Sequence, residues 1–385
     1  MRVLITGANG FIGKNLRQHL SELENIQVDV FTREDRLDSL PKLLEDIDFV
    51  FHLAGVNRPN NLDDFTCDNV NLTHAICEAI AKASEINGRK IVLIYTSSEQ
   101  ANESNPYGLS KKEGENKIFR LNINQSIPVY VFRLPNIFGK WCRPNYNSVV
   151  ATFCHNIANN MPIVVNDSNA IITLVYIDDL IECFLEIIQN KVDVNSQNLK
   201  FITSEGYTFS KVSKEFRISL GELADTINSF KNSRDNLKIG QVGKGLMRAL
   251  YATYVSYLPA NNFTYKLTQE NDSRGKFVEF VKTLDSGQFS YLTVLPGATR
   301  GGHYHHSKSE KFLVVKGQAL FKFLNIQNGH TYEYVISDKK NEVVETVPGW
   351  AHDITNIGIE EVIVLLWSNE VFDPKHPDTF NAKLR

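Results

Sequence analysis

The sequence predicts an α/β unit built on a doubly wound parallel sheet, followed by an all-β sandwich or barrel. Three observations carry this. From Met1 to about Ile188, short β-branched runs alternate with helix-period patterns, the rhythm of parallel strands joined by crossover helices. After Asn262 the helices stop, and strand-like runs follow one another between Gly, Asn and Asp turns, the texture of an antiparallel sandwich or jelly roll. The length of 385 residues suits two domains at roughly 150 residues each.

Taken in order, strands are expected over Val3–Thr6, Val28–Thr32, Phe49–Leu53, Ile91–Thr96 and Val129–Arg133. Helices are expected over Gly13–Leu23, Leu72–Ser84 and Pro106–Asn122. Asp178 and Asp179 precede the apolar pattern Leu180, Phe184, Leu185, Ile188, so one of them is expected to be a helix N-cap. Residues 190–240 continue this domain with mixed elements, and SLGELADTINSF reads as a capped amphipathic helix after Ser219. A glycine-rich stretch, Gly240 to Gly245, and a helical stretch, Leu246–Ser256, come next. The boundary is set at 245. Residues 1–245 form the first domain, and 246–385 the β domain with a linker helix at its start.

Composition narrows the function classes. An apolar content of 42% supports ordinary cores, and a net charge of −3 gives no stripe for nucleic acid and no polybasic membrane patch. The five cysteines, Cys67, Cys77, Cys142, Cys154 and Cys183, are odd in number and include no CxxC. They read as reduced thiols of a cytosolic protein. No run reaches the about 18–20 apolar residues of a membrane span. A soluble cytoplasmic protein is expected, with no nucleic acid and no membrane as partner.

TGANGFIG places Gly7, Gly10 and Gly13 where the first strand turns into the first helix. Glycine lets the chain turn tightly and lets a pyrophosphate approach the backbone, and the helix N-terminus offers free N–H groups. Gly7, Gly10, Phe11, Ile12 and Gly13 are therefore expected at a dinucleotide, in a Rossmann-type sheet. The second strand ends in VFTRED, with Thr32 and Arg33 where an acidic residue would grip the NAD ribose. An arginine there suits a 2′-phosphate, so NADPH is the expected cofactor. Asp35 keeps NADH open. Leu53, Ala54 and Gly55, after the third strand, are expected to line the adenine side, with His52 a packing residue.

YTSSEQANESNPYGLSKKEGE holds Tyr107 and Lys111 as YxxxK, with Ser98 nine residues earlier. Four residues apart on a helix, Lys111 shares a face with Tyr107. Its charge would favour the phenolate and lower the tyrosine pKa. A tyrosine so placed can exchange a proton with an alcohol or sugar oxygen, and Ser98 would bond the same oxygen. With the glycine turn, RLPNIFG and VYIDDL, these residues resemble the extended, nucleotide-sugar-modifying branch of the short-chain dehydrogenase/reductase superfamily over about residues 1–240. The resemblance implies a catalytic set of Ser98, Tyr107 and Lys111, with Asn136 beside cofactor and substrate.

From Gly297 to Gly317 the chain reads G-x5-H-x-H-x4-E-x6-G, with His303, His305 and Glu310 as potential ligands. Residues two apart on a strand point the same way. PGWAHDITN adds His352. Three imidazoles and a carboxylate suit zinc, iron, manganese or nickel. The alternative is a metal-free site in which a histidine acts as base. The pair of motifs resembles the cupin superfamily, a jelly-roll β-barrel, over about residues 265–385. Pro348 and Gly349 are adjacent where one residue usually intervenes, which puts that local turn in question. Zn²⁺ is favoured because the step it would serve is not redox.

The two halves together resemble the CapF family of capsular polysaccharide synthesis enzymes across the whole chain. That resemblance implies a bifunctional enzyme on the route to UDP-N-acetyl-L-fucosamine, for capsule or O-antigen. Its substrate would be a UDP-4-keto-6-deoxy-N-acetyl-hexosamine. The cupin would epimerise UDP-2-acetamido-2,6-dideoxy-4-hexulose at C3, and the first domain would reduce C4 with NADPH to UDP-N-acetyl-L-talosamine. It also implies a homodimer through the cupin domain. The alternative is a single-function 4-keto-sugar reductase whose cupin only binds sugar or joins subunits.

Overall fold

A computed structural model describes residues 1–58, 61, 63, 65–189 and 198–384. Residues 190–197 of the expected mixed stretch and Arg385 of the β domain lie outside the described residues. The chain forms two compact units, Met1–Ile227 with Ala249–Leu258, and Asn228–Arg248 with Pro259–Arg385. Set beside the expected boundary at 245, the chain changes unit three times, within two helices and once more after Leu258.

The first unit runs β1 (Arg2–Thr6), α1 (Phe11–Ser21), β2 (Gln27–Phe31), α2 (Leu40–Leu43), β3 (Phe49–His52), α3 (Leu72–Asn87), β4 (Val92–Ser98), α4 (Pro106–Gln125), β5 (Val129–Leu134), β6 (Asn136–Phe138), α5 (Val149–Ala158), β7 (Ile171–Tyr176), α6 (Ile177–Ile188), β8 (Leu199–Ser204), β9 (Tyr207–Val212), β10 (Phe216–Ser219) and α7 (Leu220–Asn236). The main sheet has the order β2-β1-β3-β4-β5-β9-β8, and β10-β7-β6 form a second. The pairs from β2 through β9 are parallel, and β8 returns antiparallel on β9. Central strands are buried on both faces, which is why β3 reads as the unbroken apolar run FVF. On one face Leu4, Val50, Leu93 and Val131 pack with Ile76, Ile80 and Ile118 of α3 and α4. Strand order reverses between β1 and β3, where Thr6 sits beside His52. The crevice beyond the carboxyl ends of strands at such a reversal is where open α/β sheets bind ligands.

The expected cap of α6 is corrected. Its N-cap is Tyr176, and Asp178 and Asp179 lie in the first turn, where they favour the positive helix end. Asp178 accepts from Lys140 at 2.6 Å and Asp179 from Lys214 at 2.9 Å. Helix α7 does carry a capping box: Ser219 Oγ accepts from Glu222 N at 3.2 Å, and Glu222 Oε2 accepts from Ser219 N at 3.0 Å. His52 is a packing residue as expected. Its ring is buried between the hydroxyls of Thr6 and Thr73, each at 2.8 Å, and burial pulls its pKa down to about 3.

The second unit contains β11 (Lys238–Ile239), the start of α8 (Gly245–Ser256), and then β12 (Glu270–Asp272), β13 (Gly275–Thr283), β14 (Gln288–Val294), β15 (Thr299–Tyr304), β16 (Glu310–Lys316), β17 (Gln318–Asn325), β18 (Thr331–Ser337), β19 (Val343–Glu345), β20 (Trp350–Asn356), β21 (Val362–Ser368) and β22 (Phe380–Asn381). Two sheets form it. One runs β11-β13-β14-β21-β16-β19 with β12 beside β13; the other runs β18-β17-β20-β15-β22. Leu292, Val294, Phe312, Val314, Phe321, Phe323, Ile354, Val364 and Leu366 fill the space between them. Alternation along each strand puts these residues inside and polar neighbours outside.

The Pro348–Gly349 adjacency resolves into a tight turn. Trp350 N donates to Val347 O at 3.0 Å, and Gly349 has φ +79°. Pro at the second position and a left-handed Gly at the third make a type II turn. Gly349 N also donates to His305 O at 2.8 Å, which ties the entry of β20 to the histidine-bearing segment.

Candidate active site and metal centre

The glycine turn between β1 and α1 is bare by necessity. Gly7 has φ +68°, and a Cβ there would stand 2.7 Å from Ala54 N; one on Gly13 would stand 2.3 Å from Gly7 O. Gly10 is the N-cap of α1 and supplies no side-chain acceptor, so Phe11, Ile12 and Gly13 begin a helix with uncapped N–H groups. That is the local chemistry an anionic pyrophosphate needs, and the residues present fit a dinucleotide. Ala54 N donates to Thr6 Oγ1 at 3.2 Å, which holds Leu53, Ala54 and Gly55 beside the turn.

At the end of β2, Thr32 N and Oγ1 both donate to Asp35 Oδ2, at 2.7 and 2.9 Å. These bonds hold Asp35 below the usual carboxylate range. Arg33 is 81% exposed and contacts Asp68 at 3.0 Å.

Ser98 ends β4. Tyr107 and Lys111 lie one turn apart on α4, whose start is set by Asn105 Oδ1 accepting from Gly108 N at 2.7 Å and by Pro106 in the first turn. The structure brings Ser98 and Tyr107 together, the serine placed so that it acts to lower the phenol's pKa. Lys111 is buried, donates to Thr96 O at 3.0 Å and lies 5.0 Å from the Tyr95 ring centre. A Cβ on Gly55 would stand 3.0 Å from Lys111 Nζ, so that glycine backbone packs on the lysine. Asn136 opens β6, is exposed, and donates to Thr173 O at 3.2 Å.

The environment of Tyr107 departs from the expected lowering of its pKa. Burial pushes the phenol up, and Ser98 opposes this. Lys111 is aimed at a backbone carbonyl. Burial pulls Lys111 itself down to about 8, with Glu115 opposing.

Residues that spacing did not reveal complete this site. Asn69 is buried; its Oδ1 accepts from Val56 N at 2.8 Å, and its Nδ2 donates to Ser110 Oγ at 2.9 Å, clamping the β3 loop to α4. Glu115 is 1% exposed and accepts from Arg133 at 2.9 and 2.7 Å and from Ser97 at 2.6 Å. No local motif announces either network, because their members are far apart in sequence.

In the second unit, His303, His305, Glu310 and His352 converge, with one ligand atom from each lying within 4.8 Å of the others. The register builds the cluster. β15 pairs with β20 so that His303 faces His352, after a bulge between Gly301 and His303. Gly301 (φ +97°) and Gly302 (φ +80°) supply the left-handed backbone that bulge uses. Glu310 enters from β16 in the opposite sheet. Tyr304 and His306 point elsewhere. Both rings pack on Phe380, at 5.4 and 4.7 Å, and His306 is exposed.

The donor chemistry fits a cation. Burial pulls His303 down to about 4, which leaves it neutral at pH 7. Burial alone would push Glu310 up, but His305, His352 and Lys308 outweigh it and hold the carboxyl well below its ordinary value. His352 Nε2 lies 3.2 Å from Glu310 Oε2 but off hydrogen-bond alignment, and both its ring nitrogens are buried without a hydrogen-bond partner among the described residues. Buried orphan nitrogens carry a free-energy cost that a bound cation removes.

Residues 3–199 match the NAD dependent epimerase/dehydratase family, and residues 270–380 match the Polysaccharide biosynthesis C-terminal domain. Over 99% of its length the chain is 53% identical to a UDP-2-acetamido-2,6-beta-L-arabino-hexul-4-ose reductase from Pseudomonas aeruginosa strain PA103, covering 98% of that protein. The crystal structure of capsular polysaccharide assembling protein CapF from Staphylococcus aureus matches with a TM-score of 0.89 and 38% identity, covering 100% of both chains. The chain belongs to the CapF family. A structure of CapF with the inhibitor 3-isopropenyl-tropolone matches at TM-score 0.84 and 35% identity, again over 100% of both chains. No helix among the described residues is long and apolar enough to cross a membrane.

The Lys111 shift makes a testable statement about stability. An unfolded lysine titrates near 10.4, and Lys111 in the fold near 8. Between these values the unfolded chain binds the extra proton, so this group makes stability rise with pH from about 8 to about 10; below about 8 its burial cost is present in full. Denaturant titrations of wild type and Lys111→Met at pH 7 to 10 should show their difference moving in favour of wild type as pH rises. A difference that stays flat would contradict the burial of a charged ammonium.

Proposed function

We propose that this chain is a bifunctional UDP-sugar enzyme of polysaccharide biosynthesis. The first unit reduces the C4 ketone of a UDP-4-keto-6-deoxy-N-acetyl-hexosamine with NADPH. The second epimerises the same sugar at C3 beforehand. The product is UDP-N-acetyl-L-talosamine, on the way to UDP-N-acetyl-L-fucosamine. The observation that carries the reductase is Tyr107 with Ser98 beside it and buried Lys111 one helical turn on, in a chain that aligns over 99% of its length with a UDP-sugar reductase.

In the reduction, Ser98 and Tyr107 bond the C4 oxygen, and Tyr107 gives it a proton as the centre becomes an alcohol. Burial keeps Tyr107 in the phenol form, the form a proton donor needs. Lys111, charged below about pH 8, faces the same helix side and stabilises the tyrosine as it loses its proton. The nicotinamide, when bound over the glycine turn, supplies the hydride. NADPH is favoured over NADH because Asp35 is held by Thr32, whereas the exposed Arg33 guanidinium, paired with Asp68 at the surface, would exchange that carboxylate for a 2′-phosphate.

A C3 hydrogen is acidic only while C4 is a ketone, so epimerisation precedes reduction. His303, His305, Glu310 and His352 would hold Zn²⁺, which supplies positive charge to polarise a carbonyl oxygen. CapF is inhibited by 3-isopropenyl-tropolone, whose adjacent oxygens are of the kind that chelate divalent metals, and this accords with a metal reading. Reduction at C4 then fixes the C3 configuration.

One observation favours a narrower reading: the full-length relative is named for its reductase activity alone. Under that reading the cupin binds sugar or joins subunits. The two separate cleanly. With UDP-4-keto-sugar in D₂O and no NADPH, deuterium should enter C3, and His352→Ala should abolish this. Tyr107→Phe should keep the exchange but oxidise NADPH about 10²–10⁴-fold more slowly. Absence of deuterium from the ring favours the single-function reading, and equal rates with NADH remove the role given to Arg33.

A homodimer through the second unit completes the proposal. The outer face of the β14–β21–β16–β19 sheet aligns Tyr291, Leu365, Leu313 and Val343 in register, with Leu365 42% and Val343 57% exposed. A contiguous apolar face of this kind is suited to a second copy. Leu365→Lys should shift the species seen in sedimentation equilibrium from dimer to monomer. A wild-type chain that sediments as monomer sinks the idea.

A further inference from the structure

The cluster of His303, His305, Glu310 and His352 is held by a segment far away in the chain. After β21 the chain returns and runs along β15: His303 pairs with Asn381, Tyr304 with Phe380, and Ala382 N donates to Gly302 O at 2.9 Å. Just before this short strand lies Asp378. Its backbone carbonyl accepts a close hydrogen bond from His305 Nδ1. Its carboxylate accepts from His306 N at 2.8 Å, Ser307 N at 2.7 Å, Lys308 N at 2.8 Å and Ser307 Oγ at 3.0 Å. One residue thus engages four consecutive positions, 305 to 308.

Each of these bonds bears on a ligand. The His305 bond fixes the proton on Nδ1 and leaves Nε2 as the lone-pair nitrogen, 3.4 Å from Glu310 Oε2. The backbone bonds fix the turn that carries Lys308. Lys308 is 8% exposed, and its Nζ lies 3.1 Å from Glu310 Oε1. With Oε1 on the ammonium, Oε2 is the oxygen that faces His305 and His352. Orientation of one imidazole and one carboxylate therefore runs through a single distant aspartate.

We infer that the C-terminal segment around Asp378 is a positioning strap of the metal centre, and that cation binding and docking of this strap stabilise one another. The inference rests on the metal reading of the cage. Coupling between two binding events is reciprocal. If the docked strap raises affinity for the cation by some factor, the bound cation raises docking of the strap by the same factor.

The test uses the full chain and Zn²⁺ alone. In competition with a chromophoric chelator, Asp378→Ala should weaken Zn²⁺ binding about 10–100-fold relative to wild type. Asp378→Asn, which keeps one acceptor oxygen, should fall between them. Glu360→Gln, an exposed partner of Lys316, should match wild type. Because Asp378→Ala could fail to fold, a second measurement uses wild type only. Amide exchange of residues 379–382 should slow on Zn²⁺ loading by a factor comparable to the affinity lost in Asp378→Ala. Wild-type affinity in a folded Asp378→Ala chain overturns the strap, and so does tail exchange that ignores Zn²⁺. A wild-type chain that binds no Zn²⁺ overturns the metal reading, and the strap with it.

Discussion

A charge taken out of water has to be met by the chain itself. Lys111 and Glu310, each 5% exposed, are the centres at which the two units meet this requirement. Removing an ion from water costs several kcal/mol even after the protein relaxes around it. In the first unit the cost is offset by the Thr96 carbonyl and the face of Tyr95. Those partners lie on strand β4 and so fix where α4 lies against it. In the second unit it is offset by Lys308, whose ammonium lies 3.1 Å from Oε1. Glu310 and His352 come from opposite sheets, so the sandwich must close with the right register for the carboxylate to meet that imidazole. The chemistry of each unit sits where its packing leaves least freedom.

Much of this was legible in the residues, for identifiable reasons. Glycines at 7 and 13 are dictated by backbone contacts too short for any Cβ, and one on Gly10 would be tight against Gly7 O, so the three mark the turn. Tyr107 and Lys111 are a local pair on a helix, and His305 follows His303 by two residues, one position past the end of β15. Such spacings survive folding because they are set by the local backbone. Strands β1, β3 and β4 were readable because double burial demands apolar runs. The cap of α6 was misread, since first-turn acids and N-caps use the same residue type and only the backbone tells them apart.

What could not be read was long-range. Asn69 with Ser110, Glu115 with Arg133, and Lys308 with Asp378 are joined by the fold and not by spacing. The tyrosine environment was misjudged for the same reason. The i to i+4 rule brings Lys111 to the right face, but it does not say that a carbonyl on β4 will capture the ammonium. Local patterns name the actors in a site, whereas tertiary hydrogen bonds set their protonation and aim.

The path of the chain between the units has one more consequence. Helix α7 leaves the first unit after Ile227, α8 returns to it at Ala249, and the chain departs again at Pro259. In the returning segment, Leu250 and Tyr254 are buried, and Tyr257 places its hydroxyl on the Cys142 carbonyl. Severing the polypeptide at any one peptide bond here would leave at least one lobe missing a piece of itself. The lobes are therefore interleaved along the chain, not strung like beads.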